Sequence, residues 1–322
     1  MQRFVLVAAA LCFAATPALA QSGQCTAQSR FAIVVHGGEL SQKFADNGRL
    51  AVMKDALGKA RASLAKGAAG LDVVETVVMT FEDSGLFNTG KGAIANRAGV
   101  VETDASIMDG NGLRAGAVAS MTDIKNPVHA ARLVMDKSPH VLMVGDRGEE
   151  FVTSAGAETA APDYFKNNKH PYAGHEEHGT VGAVALDRCG HIAAATSTGG
   201  YDAKIPGRVG DSPIVGAGVY AADDVAGFSA TGHGEYFIRF SIAKDVADRM
   251  RYAHQSMTDA MSADLKDMLG KFKDGDGALI GVDRNGNVVT MWNSVGLFRG
   301  FATDKEAPVV AEYEGPSASK PR

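Results

Sequence analysis

The stretch His178-Gly179-Thr180-Val181-Gly182-Ala183-Val184-Ala185-Leu186-Asp187, "HGTVGAVALD", divides the chain. Before it, residues 158–179 carry polar and turn residues without a sustained period, which predicts a flexible linker. After it, the small and apolar residues up to Leu186 predict a buried strand. A threonine at such a seam needs a chemical reason.

Outward from the seam, the hydrophobic pattern predicts strands near 31–35, 100–108, 114–119, 140–144, 191–197, 214–221, 227–230, 277–282 and 287–292. The first is closed by His36-Gly37-Gly38, which reads as a glycine turn. Helices are predicted near 50–64, 71–81, 126–138, 147–155, 235–251 and 257–269. Asn126-Pro127 places a capping residue and a first-turn proline at one helix start. Asp109-Gly110-Asn111-Gly112 and Asp283-Arg284-Asn285-Gly286 are hairpin turns. Hairpins outnumber βαβ units, so the expected class is α+β, with antiparallel sheets covered by helices, and not a doubly wound fold.

The 322 residues are 45% apolar and 21% charged, enough for one large or two small domains. A formal charge of −5 and the lack of a long Lys/Arg run give no electrostatic basis for binding nucleic acid. Residues 1–20 have a basic start at Arg3, an apolar stretch from Phe4 to Ala15 and an Ala18-Leu19-Ala20 cleavage pattern. They read as a secretory signal peptide, predicting a periplasmic or secreted protein. No other stretch is apolar for long enough to span a bilayer, so no membrane partner is expected once the signal is removed. Of three cysteines, Cys12 leaves with the signal; the sequence leaves open whether Cys25 and Cys189 pair.

Two motifs are decoys. Gly85 to Gly92 satisfies G-x-x-x-x-G-K, but glycine follows where a phosphate-binding loop needs Ser or Thr, and a helical pattern precedes it. His170, His175, Glu176, Glu177 and His178 cluster in the linker, but lack the i, i+4 pairing of a zinc helix. No G-x-S-x-G elbow appears, and neither Cys25 nor Cys189 has an activated context.

A different chemistry suits Thr180. A hydroxyl alone is a poor nucleophile, but an α-amino group has an unperturbed pKa of about 7.7–8.0 and can take the hydroxyl proton near neutrality. Cleavage at Gly179-Thr180 would put nucleophile and base on one residue.

"HGTVGAVALD" (178–187), "AAATSTGG" (193–200), "PGRVGDSPIVGAG" (206–218) and "ATGHGE" (230–235) resemble the plant-type asparaginase/isoaspartyl peptidase family of N-terminal-nucleophile hydrolases. So do "VVHGG" (34–38), "LFNTGKGA" (86–93), "ETDASIMDG" (102–110), "GAVA" (116–119) and "NPVHAARLVM" (126–135). The likeness covers nearly all of the chain after the signal, in the right order. It implies a four-layer αββα sandwich, a precursor that cuts itself into an α subunit (21–179) and a β subunit (180–322), and a homodimer of such αβ units.

Carried over by position, Thr180 resembles the nucleophile and Thr198 the threonine that orients it. Arg208 would clamp the substrate α-carboxylate, for which a planar guanidinium fork is suited. Asp211 would hold the α-ammonium. Thr231 and Gly232 would form the oxyanion hole, and Asn88 would sit near the new amine. The His36-Gly37-Gly38 loop is similar to one tied to precursor processing. The implied reaction is hydrolysis of L-asparagine and β-aspartyl dipeptides through an aspartyl-enzyme ester, with no cofactor for catalysis. The family's structural sodium ion implies a cage of backbone carbonyls from Phe81, Glu82, Ser84, Phe87, Thr89 and Lys91.

Relatives with other activities leave alternatives. Glycosylasparaginases usually carry aspartate where Gly179 stands, and taspase-like proteases need extra segments not evident here. From another class, a periplasmic solute-binding protein would fit the signal and would predict two α/β lobes.

Overall fold

Alternation decides the architecture, since in a strand successive side chains point to opposite faces. In this computed structural model, which describes residues 30–43, 46–161, 163–165 and 179–313, both faces of the central strands are buried. The strands are β1 (Ala32–Leu40), β2 (Thr103–Asp109), β3 (Arg114–Met121), β4 (Leu142–Val144), β5 (Val181–Leu186), β6 (Ile192–Thr198), β7 (Val219–Ala221), β8 (Ala226–Gly232), β9 (Gly277–Asp283), β10 (Val288–Trp292), β11 (Gly296–Thr303) and β12 (Val309–Ala311). The helices are α1 (Arg49–Ala65), α2 (Gly70–Ser84), α3 (Pro127–Lys137), α4 (Gly145–Ala155), α5 (Gly234–Phe240), α6 (Ile242–Tyr252) and α7 (Met257–Ser262).

Eight strands form one sheet in the order β12-β11-β1-β5-β6-β2-β3-β4, and four form a second, β10-β9-β8-β7. All pairings are antiparallel except β3 with β4. On the outer face of the large sheet, Ile33, Val35, Val181, Ala183 and Ala195 pack with the apolar stripes of α1, α2 and α3. The other face meets the small sheet, whose far side is covered by α6 and α7. The order is helix, sheet, sheet, helix, as the resemblance implies.

The two parts of the chain are knitted together, because β1 pairs with β5 on one side and β11 on the other. One body with a shared sheet replaces the two lobes expected of a solute-binding protein. No helix among the described residues is long and apolar enough to cross a membrane.

Several predicted elements change. β1 does not end at a glycine turn: it runs through His36-Gly37-Gly38 to Leu40, with a bulge between His36 and Glu39 and Gly38 at φ 102°. The 214–221 strand shortens to β7, because Asp211 to Gly218 is occupied by turns closed by Ile214 N–H to the Asp211 carbonyl and Ala217 N–H to the Ile214 carbonyl. The 235–251 helix breaks into α5 and α6 at Ser241, which takes a left-handed φ of 52°. The 257–269 helix leaves α-geometry after Ser262, widening over 263–268 and tightening at Leu269–Lys271. β11 and β12 have no predicted counterpart. At the predicted Asn126 cap, the side chain donates to Glu82 and Asp83, and Glu82 accepts the Val128 N–H at 3.0 Å. Glu82 from α2 therefore caps α3. Most of the linker, with its histidine cluster, lies outside the described residues, as do residues 1–20 and Cys25. Cys189, in the turn between β5 and β6, is disulfide-bonded.

Candidate active site

Thr180 immediately precedes β5, and its even-numbered neighbours Gly182 and Val184 face the small sheet. A Cβ on Gly182 would lie 1.9 Å from Ser229 Oγ, and one on Gly227 would lie 2.8 Å from Val184 Cγ1. β5 and β8 thus run past each other in opposite directions, 182 over 229 and 184 over 227. Continuing that register by two residues brings Thr180 over Thr231. Glycine at 182 is required by this approach, since any side chain would collide with Ser229.

Thr180 is 6% exposed, and its Oγ1 donates to Thr198 Oγ1 at 3.0 Å. Thr198 ends β6 and also accepts the Gly200 N–H at 2.9 Å. Asn88 ties the same turn from the other side: its Nδ2 donates to the Gly200 carbonyl at 2.6 Å, its carbonyl accepts the Gly199 N–H, and its Oδ1 accepts the Ile94 N–H. A Cβ on Gly179 would lie 2.4 Å from Asn88 Cβ, so only glycine fits before the threonine. Thr180, Thr198, Asn88 and Gly179 are therefore brought together.

A second layer of polar groups joins His36, from the loop the sequence ties to processing, to residues the sequence does not single out. His36 Nε2 lies 2.9 Å from Ser229 Oγ, which is 2.7 Å from Thr196 Oγ1. Burial drives the His36 imidazole down to about 3, against a smaller opposing pull from the Thr180 backbone, so the ring is neutral at ordinary pH. Under the Gly199–Gly200 turn Lys204 is fully buried, its Nζ donating to the Glu102 carbonyl at 2.8 Å. Asp104, paired with Thr198 across β2 and β6, is raised by burial, an effect opposed chiefly by Lys204. The strand residues among these, His36, Asp104, Thr196 and Ser229, alternate to face the space between the sheets, but alternation alone does not say which buried polar residues share a neighbour.

Thr231 and Gly232 end β8, opposite Ala278 and Gly277. Gly232 has φ 145°, and a Cβ there would lie 2.6 Å from Gly277 Cα, so glycine is needed for both reasons. Arg208 and Asp211 lie beside the start of α5: a Cβ on Gly234 would be 2.7 Å from Asp211 Oδ1 and 2.9 Å from Arg208 Nη2. Arg208 is also held by a fork to Glu235, from Nε and Nη2 at 3.0 Å each, with its guanidinium 4.6 Å from the Tyr201 ring centroid. Glu235, within the "ATGHGE" block, was not identified from sequence as its partner. Asp211 is raised to about 7 by burial, against the pull of Arg208.

The carbonyls expected to cage sodium lie in the last turn of α2 and in the loop that follows it. That helix ends at Ser84, so its last carbonyls lack intrahelical partners, and Gly85 turns the chain with φ 70°. The short turn at Gly90–Gly92 returns against them: Cβ atoms on Gly90 and Gly92 would lie 2.8 Å from the Glu82 carbonyl and 2.1 Å from the Phe87 carbonyl. Phe81 and Phe87 carbonyls also accept bonds from Ser84 Oγ and the Thr89 N–H, leaving each a second lone pair. Lys91 is exposed, its stem 3.7 Å from the Gly85 Cβ position, so its ammonium is not buried in the loop. Backbone carbonyls are oxygen donors of the type a hard cation takes. Among the described residues no cluster of His, Cys, Asp and Glu could hold a metal ion.

Thr180 before β5 and Thr198 at the end of β6 thus form a buried hydroxyl pair on the face turned to the small sheet. The family described as Asparaginase matches residues 29–172 and 165–312. The chain belongs to the asparaginase family. An isoaspartyl peptidase of Salmonella typhimurium is 43% identical over 270 residues, covering 78% of this chain and 86% of the relative. One from Escherichia coli is 42% identical over 270 residues, with 78% and 84% covered. A human isoaspartyl peptidase/L-asparaginase is 39% identical over 251 residues, with 73% and 80% covered.

Proposed function

We propose that the chain is a self-cleaving threonine hydrolase of L-asparagine and β-aspartyl dipeptides. The observation that carries this reading is Thr180, buried at the start of β5 with its hydroxyl on Thr198, in a chain about two-fifths identical to isoaspartyl peptidases. In the uncut chain the Thr180 nitrogen is an amide and cannot act as a base. Cleavage after Gly179 frees an amine, which takes the proton as Oγ1 attacks the side-chain carbonyl carbon. Thr231 and Gly232 receive the oxyanion, and ammonia or an amino acid leaves with the proton. Water then attacks the aspartyl ester and restores Thr180. Arg208 and Asp211 read the α-carboxylate and α-ammonium common to both substrates. Gly179, where a glycosylasparaginase-like relative would carry aspartate, supports the asparaginase side.

The same reading assigns residues 1–20 as a signal peptide, residues 21–179 and 180–322 as the two subunits, a homodimer of αβ units and a periplasmic or secreted site of action. The disulfide at Cys189 fits an oxidising compartment. Sodium on the carbonyls after α2 would brace the loop that carries Asn88, and supplies no step of the chemistry.

Denaturing electrophoresis with activity assays tests the proposal. The purified protein should give two bands that together account for the mature mass, and hydrolyse both substrate types. Thr180→Ala should give one band and no turnover. A persistent single band in active wild type, or full activity in Thr180→Ala, would sink the mechanism.

A further inference from the structure

We propose that Glu39 is a further substrate-binding residue, which with Asp211 lines an acidic subsite for a positively charged group of the substrate. The inference rests on the function proposed above. Its geometry begins with the bulge in β1. Between the pairs His36↔Arg299 and Glu39↔Leu297, β1 uses one residue more than β11. Without that extra residue, Glu39 would point to the α1 side of the sheet. With it, Glu39 shares a face with its partner Leu297, which lies in the core between the sheets. His36 is on this face too, against Ser229, so the bulge keeps both side chains on the nucleophile's side.

What Glu39 meets there is acidic. The residue is 3% exposed, and its Oε2 is buried without a hydrogen-bond partner. Ser294 hydrogen-bonds the carboxyl, while Asp276 and Asp211 lie within electrostatic reach. Asp211, 5% exposed, also has a buried oxygen, Oδ2, without a partner. The Asp276 carbonyl borders Gly232, 2.7 Å from where its Cβ would be, so this acidic neighbour of Glu39 stands at the end of β8. Burial, and then the nearby carboxyls, hold Glu39 well above the usual carboxylate range.

Two buried carboxyl oxygens without partners, on groups within electrostatic reach of each other, carry a desolvation cost that a cation would offset. Proposed substrates can bring one from two sources. The α-ammonium is common to asparagine and every β-aspartyl dipeptide. A second ammonium comes with β-aspartyl-lysine, on the residue that leaves.

Wild type, Glu39→Gln and Glu39→Ala are to be compared on L-asparagine, β-aspartyl-leucine and β-aspartyl-lysine. Succinamate, which is asparagine without its α-ammonium, is read as an inhibition constant. Both variants should show self-cleavage, KM raised about tenfold and kcat within about twofold, the scale of losing one charge-assisted contact. A rise on all three substrates with succinamate unmoved or tighter assigns the α-ammonium. A rise confined to β-aspartyl-lysine assigns the leaving residue's side chain. Unchanged KM throughout, an equal loss that includes succinamate, or both variants remaining uncut would overturn the assignment. Wild type inert on all three substrates would instead remove the proposed function, and this inference with it.

Discussion

The space between the two sheets has two ends, built by the same strands and unlike in chemistry. At one end Val34, Val184, Ile192 and Val282 meet in an apolar core. At the other, one or two turns of alternation further along, stand His36, Thr180, Thr196, Thr198, Ser229 and Thr231, all buried. The apolar end gains from area removed from water, and it tolerates changes that conserve volume. The polar end is favourable only while its groups satisfy one another, as in the His36–Ser229–Thr196 chain and the Thr180–Thr198 bond. A burial pattern cannot separate the ends, but their responses to substitution should.

The largest effect is expected at the apolar end. Ile192→Ala should cost about 4 kcal/mol of stability, as deletion of a fully buried side chain leaves a cavity. Chemical denaturation measures it, and the folded fraction should still self-cleave. Loss of cleavage from a properly folded variant would break the proposed division between the ends.

Next comes the boundary residue. Gly182→Ala should cost about 3 kcal/mol by overpacking, because the added methyl meets Ser229 Oγ and His36 Nε2. Here cleavage should fail along with stability. A stable, fully processed Gly182→Ala would mean that the sheets can separate at this point.

Thr198→Val retains shape and removes a hydroxyl at the polar end. A fall in kcat/KM of about thirtyfold, roughly 2 kcal/mol, is expected from loss of the bond to Thr180, with a stability loss of about 1–2 kcal/mol because the buried Gly200 N–H loses its acceptor. An equally large stability loss with intact kcat/KM would make Thr198 structural.

The smallest effect is a pH slope. His36 is lowered to about 3 in the folded chain, while the unfolded chain protonates near the ordinary value of 6.5. Between those values the unfolded state binds the extra proton, so this group makes stability rise with pH from about 3 to 6.5 and adds no slope above. In His36→Gln the slope in that window should flatten. Denaturation series at several pH values would show it, and identical slopes would mean the ring is not buried neutral.

Much of this site was legible. Thr180, Thr198, Asn88, Thr231 and Gly232 were each placed by short blocks of sequence, and the structure brings the first three into one hydrogen-bonded group. Glu39 and Glu235 were not, because each acquires its neighbours from a distant segment. The bulge that turns Glu39 inward is a matter of two glycines read locally as a turn. The break at Ser241 had no signal either, since serine in a left-handed conformation is held by what surrounds it. β11 and β12 were missed because the run after Trp292 carries glycine and polar residues, and becomes strand only as β11 pairs with β1 and β12 with β11.

What the sequence alone determined was local: the period of each element, the turns, and a threonine at a linker–strand seam whose chemistry required a free amine. What tertiary structure decided was which end of a uniformly buried strand became a site. Burial is a property of each residue's face, which alternation encodes. Mutual satisfaction of buried polar groups depends on residues up to 193 positions apart, as His36 is from Ser229, and exists only when two sheets close over each other.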